Sequence, residues 1–235
     1  MTNVLDNPVW AALTHDQKRF ADVRARAARF QPEVSPFAAV ADPADRGAWA
    51  DLAALTGPGE IVLVPTAPDD TPPGWELVGG GVGVQLTGER LVAAPDPEAV
   101  LLTEADIPEM LDLVARTQPG PFAPRTRELG TYLGLRREGK LVAMAGERVR
   151  PPGWTEISAV CTDPSYRGQG FAARLVRAVA AGVRERGETP FLHAAGTNTS
   201  AIRLYLAMGF EHRRDINFHA YRPQAEQVAR GRSRS

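Results

Sequence analysis

Residues 156–210 constrain this chain most, because they read as one fixed succession of elements: strand, glycine turn, long helix, strand, capped helix. Residues 156–162 form a short apolar run closed by Asp163 and Pro164, which predicts a largely buried strand. Gly168 and Gly170 follow; lacking a Cβ, they let the backbone turn tightly and come close to a ligand. Ala172, Leu175, Val176, Val179, Ala180 and Val183 then recur at helical spacing, with Arg174, Arg177, Arg184 and Glu185 on the other side. Gly187 stands where a left-handed C-cap belongs. Such a turn aims free amides and the positive end of a helix dipole at an anion.

Three phosphate-binding patterns compete for that turn. A P-loop closes on Lys-Ser/Thr, whereas this one closes on Phe171-Ala172. Gly168, Gly170 and Ala173 do fit a dinucleotide fingerprint, but that pattern needs an acidic residue at the end of the next strand. The next strand, 191–195, runs into Gly196-Thr197-Asn198 without one. The third pattern joins Arg167, Gly170 and Ala172 to a companion helix carrying Asn198, Ala201, Tyr205, Gly209 and Phe210. On these two motifs the segment resembles the Gcn5-related N-acetyltransferases (GNAT), over roughly residues 99–222. The resemblance implies an α/β fold with a mixed sheet in the C-terminal half and acetyl-CoA as acyl donor. It implies coenzyme A contacts from Val160, Cys161, Thr162, Arg167, Gly168, Gln169, Gly170, Phe171, Ala172, Asn198 and Tyr205. In the family the pantetheine arm pairs with the strand at 160–162 as another strand would.

Acylating an amine from a thioester requires that the amine lose a proton, that an oxyanion be stabilised and that the thiolate leave. Tyr205 is the candidate acid, since a phenol with a reference pKa of ~10 stays protonated where a thiol of ~8.5 must leave. A core tyrosine beside Ile202 and Met208 is the plainer alternative. Asn198 can cap its helix and contact cofactor at once. Glu156 is the candidate base, because a carboxylate opening a central strand needs either work or a partner. Glu147 and a water molecule are its rivals. The run from Thr155-Glu156 to Arg167 further resembles the glycine N-acyltransferase-like (FR47-like) branch, whose proposed base is a glutamate at the matching distance. That branch lacks the full Asn/Tyr helix motif found here, so acceptor identity does not transfer. Cys161 reads as a buried small thiol rather than a nucleophile. His193 reads as structural, and His15, His212 and His219 show no metal-ligand pattern.

The first hundred residues carry neither motif. Helices are predicted over 14–30 and from a cap at Asp42 or Asp45 through Leu55, and strands at 37–40, 61–64 and 75–86. The Gly79-Gly80-Gly81 run precedes no amphipathic helix, so it predicts a bulged or close-packed strand rather than a second phosphate loop. The proline-rich linker at 93–97 suggests a division into an N-terminal α/β accessory domain (1–94), read as a degenerate half-copy or a packing domain, and an acetyltransferase domain (95–223). Within the latter, a strand at 100–102, a Thr103/Asp106-capped helix, a short helix at 126–133 and a hairpin around Glu138-Gly139 lead to the organising strand. A final hairpin is predicted over 212–221 and a disordered basic tail over 224–235.

Composition closes off other classes. A net charge of −1 over 235 residues offers no general field for nucleic acid or anionic lipid. No apolar run approaches spanning length, and residues 1–10 lack the pattern of a signal peptide. A single cysteine rules out a disulfide framework, so a reducing cytoplasm is the default expectation. The reading is an acetyl-CoA-dependent N-acyltransferase acting through a ternary complex on a small-molecule amine or amino acid, with room for a homodimer. A non-catalytic acyl-CoA-binding sensor is the alternative from another class.

Overall fold

The computed structural model describes residues 3–224. Helix α1 (Pro8–Thr14) opens on a proline, whose fixed φ suits a first helical turn. The helix predicted over 14–30 does not form. A 3-10 turn leads instead into a hairpin of β1 (Ala21–Arg24) and β2 (Ala27–Phe30), turned at Ala25 with φ 42°. The cause is tertiary: Ala27, Ala28, Arg29 and Phe30 are all buried, and consecutive burial suits a strand covered on both faces. β3 (Ala38–Val40) completes this small sheet. Helix α2 (Arg46–Leu55) starts as predicted on Asp45, whose carboxylate accepts from the Gly47 amide at 2.7 Å.

The main sheet has eight strands: β4 (Val62–Pro65), β5 (Trp75–Thr87), β6 (Val100–Leu101), β7 (Tyr132–Arg137), β8 (Lys140–Glu147), β9 (Trp154–Thr162), β10 (Thr189–Ala195) and β11 (Glu211–Pro223). Their spatial order is β4-β11-β5-β10-β9-β8-β7-β6. Only the β9/β10 pairing among these strands is parallel, so the sheet is mixed. Three further helices, α3 (Ile107–Thr117), α4 (Phe171–Glu185) and α5 (Thr199–Ala207), complete the chain.

Strand β5 alters what the sequence suggested. The predicted final hairpin over 212–221 is a single strand, β11, and the place between β10 and β11 is taken by β5 from before the linker. A continuous sheet therefore crosses the 93–97 linker, with β4 and β5 in the same sheet as the strands that follow it. Within the Gly79–81 run only Gly80 is close-packed, since a Cβ there would lie 2.1 Å from the Phe218 carbonyl oxygen while one on Gly79 or Gly81 would meet nothing within 4 Å; the pairing with β11 shifts register beside Gly79. Residues 126–133 form one 3-10 turn (Thr126–Leu129) and then enter β7, where a buried Tyr132 claims a strand position. Of the predicted tail, Gln224 donates its amide to the Gly74 carbonyl at 2.9 Å; the rest lies outside the described residues.

The sheet separates two cores. On one face α4 buries Leu175, Val176, Val179 and Val183 against Leu135, Ala143, Ile157 and Leu192. On the other, α3 packs Met110 and Leu113 against Tyr132, Met144 and Cys161, and the N-terminal elements set Phe20, Phe30 and Phe37 against Val149. A third cluster joins the two parts of the chain through edge-to-face contacts among Trp49, Trp75 and Tyr221.

Candidate active site

The site begins with a flaw in a strand. β8 and β9 pair as Met144↔Cys161 and then Gly146↔Ser158, so β9 carries one extra residue. Ala159 absorbs it with φ 53°, an unusual conformation for a residue with a Cβ. β9 and β10 meanwhile stay paired only from Trp154↔Thr189 to Glu156↔Phe191. Beyond that point β10 continues against β5 and β9 against β8, so the two strands fork. The fork opens a cleft of about 790 Å³, in the size range of small-ligand sites. Residues 157–162 line one wall and His193, Ala194 and Ala195 the other. Along β9 this wall is an unpaired strand edge, with backbone donors and acceptors turned towards the opening.

The glycine turn closes one end. Gly168 and Gly170 adopt φ 79° and 75°, and a Cβ at either would meet nothing within 4 Å. Gly170 is the N-cap of α4, and the first amides of that helix have no intrahelical acceptor. Arg167, Gly168, Gly170, Phe171 and Ala172 line the cleft, and Gln169 does not. Arg167 forms no ion pair among the described residues, so its charge is available to an anion. A polyanionic, extended ligand such as coenzyme A fits this donor set: amides and a guanidinium at one end, a strand edge along the wall.

Asn198 and Tyr205 also line the cleft. Asn198 caps α5, accepting from the Ala201 amide at 3.2 Å. Tyr205 packs edge-to-face on Phe210 at 5.8 Å, and burial pushes its phenol up to about 12. Its hydroxyl has no hydrogen-bond partner among the described residues and is protonated throughout the physiological range. Val160, Cys161 and Thr162 lie on the β9 wall. Burial raises the Cys161 thiol to about 11, which leaves it a weak nucleophile.

The two carboxylates part company. Glu147 is buried at the C-terminal end of β8, opposite Ile157, with the Arg186 guanidinium 3.0 Å away, and does not line the cleft. Glu156 lies just behind the cleft, fully buried, gripped by Arg148 through Nε–Oε2 at 2.9 Å and Nη2–Oε1 at 2.6 Å. His193 Nδ1 reaches the same Oε1 at 2.7 Å. Burial alone would raise this carboxyl, but the charge of Arg148 and the bonds from His193 and Arg148 outweigh it and pull it down to about 2. A carboxylate so held accepts a proton less readily than a free one, which weighs against Glu156 as the base.

Arg148 and His193 line the cleft, and the sequence reading missed both. Arg148 had no signal, because its pairing with Glu156 exists only across the β8–β9 turn. His193 was read as structural, yet it joins a chain of hydrogen bonds. Gln85 Oε1 accepts from Arg213 at 2.7 Å while its Nε2 donates to the Leu5 carbonyl at 3.0 Å. That orientation presents an N–H to His193 Nε2 at 3.0 Å, so this nitrogen accepts and the proton sits on Nδ1.

Known proteins share this architecture. Residues 132–219 match the FR47-like protein family. The N-alpha-acetyltransferase RimI of Mycobacterium tuberculosis is 34% identical over 121 residues, which cover 47% of this chain and 75% of that protein. A solved structure from Novosphingobium aromaticivorans, assigned to the GNAT acetyltransferases, is 40% identical with a TM-score of 0.88, covering 95% of this chain and all of that one. The chain belongs to the GNAT acetyltransferase family. A second GNAT structure, from Kribbella flavida, is 18% identical with a TM-score of 0.61 over 94% of this chain and shares the fold. Acetyltransferases of this family use acetyl-CoA. Both likenesses extend over the elements before the linker.

Proposed function

We propose that this chain transfers an acetyl group from acetyl-CoA to a primary amine of a small molecule or an amino acid, by direct attack within a ternary complex. The observation that carries the reading is the forked cleft, which joins an amide-rich glycine turn to a strand edge with Tyr205 on its wall. Acetyl-CoA, when bound, supplies the acyl group as an activated thioester. Arg167 and the amides from Gly168 to Ala172 would hold its phosphates, and the edge of β9 at Val160, Cys161 and Thr162 its pantetheine arm. Asn198 caps α5 and, lining the same cleft, would face that arm. Tyr205 gives its hydroxyl proton to the departing thiolate. Glu156 serves as the anion that fixes Arg148 and His193, and the amine loses its proton to water. RimI is named for acting on an alpha-amino group, which supports an amine as acceptor.

Thiol release from acetyl-CoA in the presence of an amine panel tests this. Tyr205→Phe should lower turnover about 10²–10⁴-fold, the usual weight of a positioned proton donor. Coenzyme A should still raise its melting temperature. Coenzyme A binding without thiol release for any amine would favour the acyl-CoA-binding sensor instead.

A further inference from the structure

The cleft has two unlike ends. The glycine turn offers amides and the charge of Arg167, whereas the end beyond the fork offers one enclosed guanidinium. Arg148 is only 7% exposed. Two of its nitrogens hold Glu156, and its guanidinium carbon lies 4.5 Å from the centre of the Phe37 ring. Nη1 has no hydrogen-bond partner among the described residues, although the residue lines the cleft. We propose that Arg148 reads the acceptor: its Nη1 donates to an uncharged carbonyl group adjacent to the amine that is acetylated. This rests on the acetyl-transfer reading above.

Position supports this first. Arg148 donates its backbone amide to Glu156, at the closed end of the fork, while the glycine turn follows Thr162. Six residues of strand separate them, roughly 20 Å at the ordinary rise. A donor lying along the β9 edge from the glycine turn leaves the Arg148 end for the acceptor. Rigidity comes next: with the ion pair and the aromatic face fixing the guanidinium plane, the remaining donor is pre-organised and little freedom is lost on binding.

Charge then selects the class of ligand. The ionisable groups around Arg148 are Glu156, which pairs with its guanidinium, His193 beyond that carboxylate, and the buried Tyr132 phenol. A substrate carboxylate would be a second anion in an enclosed space already holding one carboxylate per guanidinium. A plain alkylamine would leave Nη1 unanswered. An amino-acid amide or a peptide N-terminus satisfies both conditions, because it carries an amine beside a neutral carbonyl.

The test compares matched sets built on alanine, serine and leucine: the free amino acid, its carboxamide, and the amine with the carboxyl group replaced by methyl. Thiol release is followed at saturating acetyl-CoA, and melting temperature is measured with coenzyme A alone and with each compound added. The carboxamides should exceed both other classes in kcat/KM by about 10- to 100-fold, the weight of a hydrogen bond from a charged donor. They alone should add to the coenzyme A shift. Arg148→Lys, which can still face Glu156 but has no fixed second donor, should bring the carboxamide-to-alkylamine ratio close to one. Equal or higher kcat/KM for free amino acids in the native protein overturns the inference whether or not the variant folds. A coenzyme A shift with no response to any carboxamide overturns it too, leaving the acetyl-transfer reading in place. Loss of the coenzyme A shift itself overturns both.

Discussion

Replacing Glu156 with glutamine keeps the shape of the side chain and removes its charge, which leaves Arg148 buried against Phe37 with only a neutral amide to face. Removing one partner of a buried ion pair typically costs about 3–5 kcal/mol. Proton linkage gives an independent figure. The carboxyl moves from 4.5 to about 2 on folding; at ~1.4 kcal/mol per unit, that is about 3 kcal/mol. Because the folded value lies below the unfolded one, this stabilisation is complete above the unfolded pKa and is lost as the pH falls through the folded one. Urea unfolding of the native and Glu156→Gln proteins at a series of pH values measures it directly. At pH 7 the variant should be about 3 kcal/mol less stable; the gap should narrow below about pH 4.5 and nearly close at about pH 2. A gap under about 1 kcal/mol at neutral pH, or one unchanged at about pH 3, would refute the buried pair. The same variant addresses catalysis. If the acidic limb of the kcat/KM profile vanishes in Glu156→Gln, this carboxylate is a base after all.

Two further outcomes follow from the packing. A chain starting at residue 94 loses β5, so β10 and β11 would both face an empty lane in the middle of the sheet. It should fail to give a cooperative unfolding transition by circular dichroism, and a folded, active 94–235 fragment would refute the role given to β5. Tyr132→Phe removes a buried hydroxyl that has no hydrogen-bond partner among the described residues. It should leave stability unchanged or raise it by up to about 1 kcal/mol, and a clear fall in melting temperature would mean the hydroxyl has a partner.

What the sequence disclosed and what it withheld divide along the range of the interactions. Helix α4, its Gly170 start and its Gly187 end were legible because periodicity and capping are local, as were the Asp45, Thr103 and Asn198 caps. The glycine turn and Tyr205 were legible as a motif, and both line the cleft. The place of β5 was not, because an alternating strand says nothing about which neighbours it will pair with. Residues 14–30 misled because helix-forming residue types at 27–30 were buried on both faces of a strand. The extra residue at Ala159, which helps open the fork, has no mark in an apolar run of that composition. Glu156 illustrates the point best: a charge in a central strand signalled a purpose, but that purpose depended on Arg148 and His193, which only the fold brings to it.

A crystal structure with coenzyme A tests most directly the claim that the forked cleft is the acyl-donor site. The pyrophosphate is expected on the amides between Gly168 and Ala172 beside Arg167, with the pantetheine arm running along Val160 to Thr162 and its sulfur directed at the Tyr205 hydroxyl. Coenzyme A seated elsewhere, for example in the smaller hollow between Thr66 and Asn217 or along Gly79–81, with the fork left free, would contradict it.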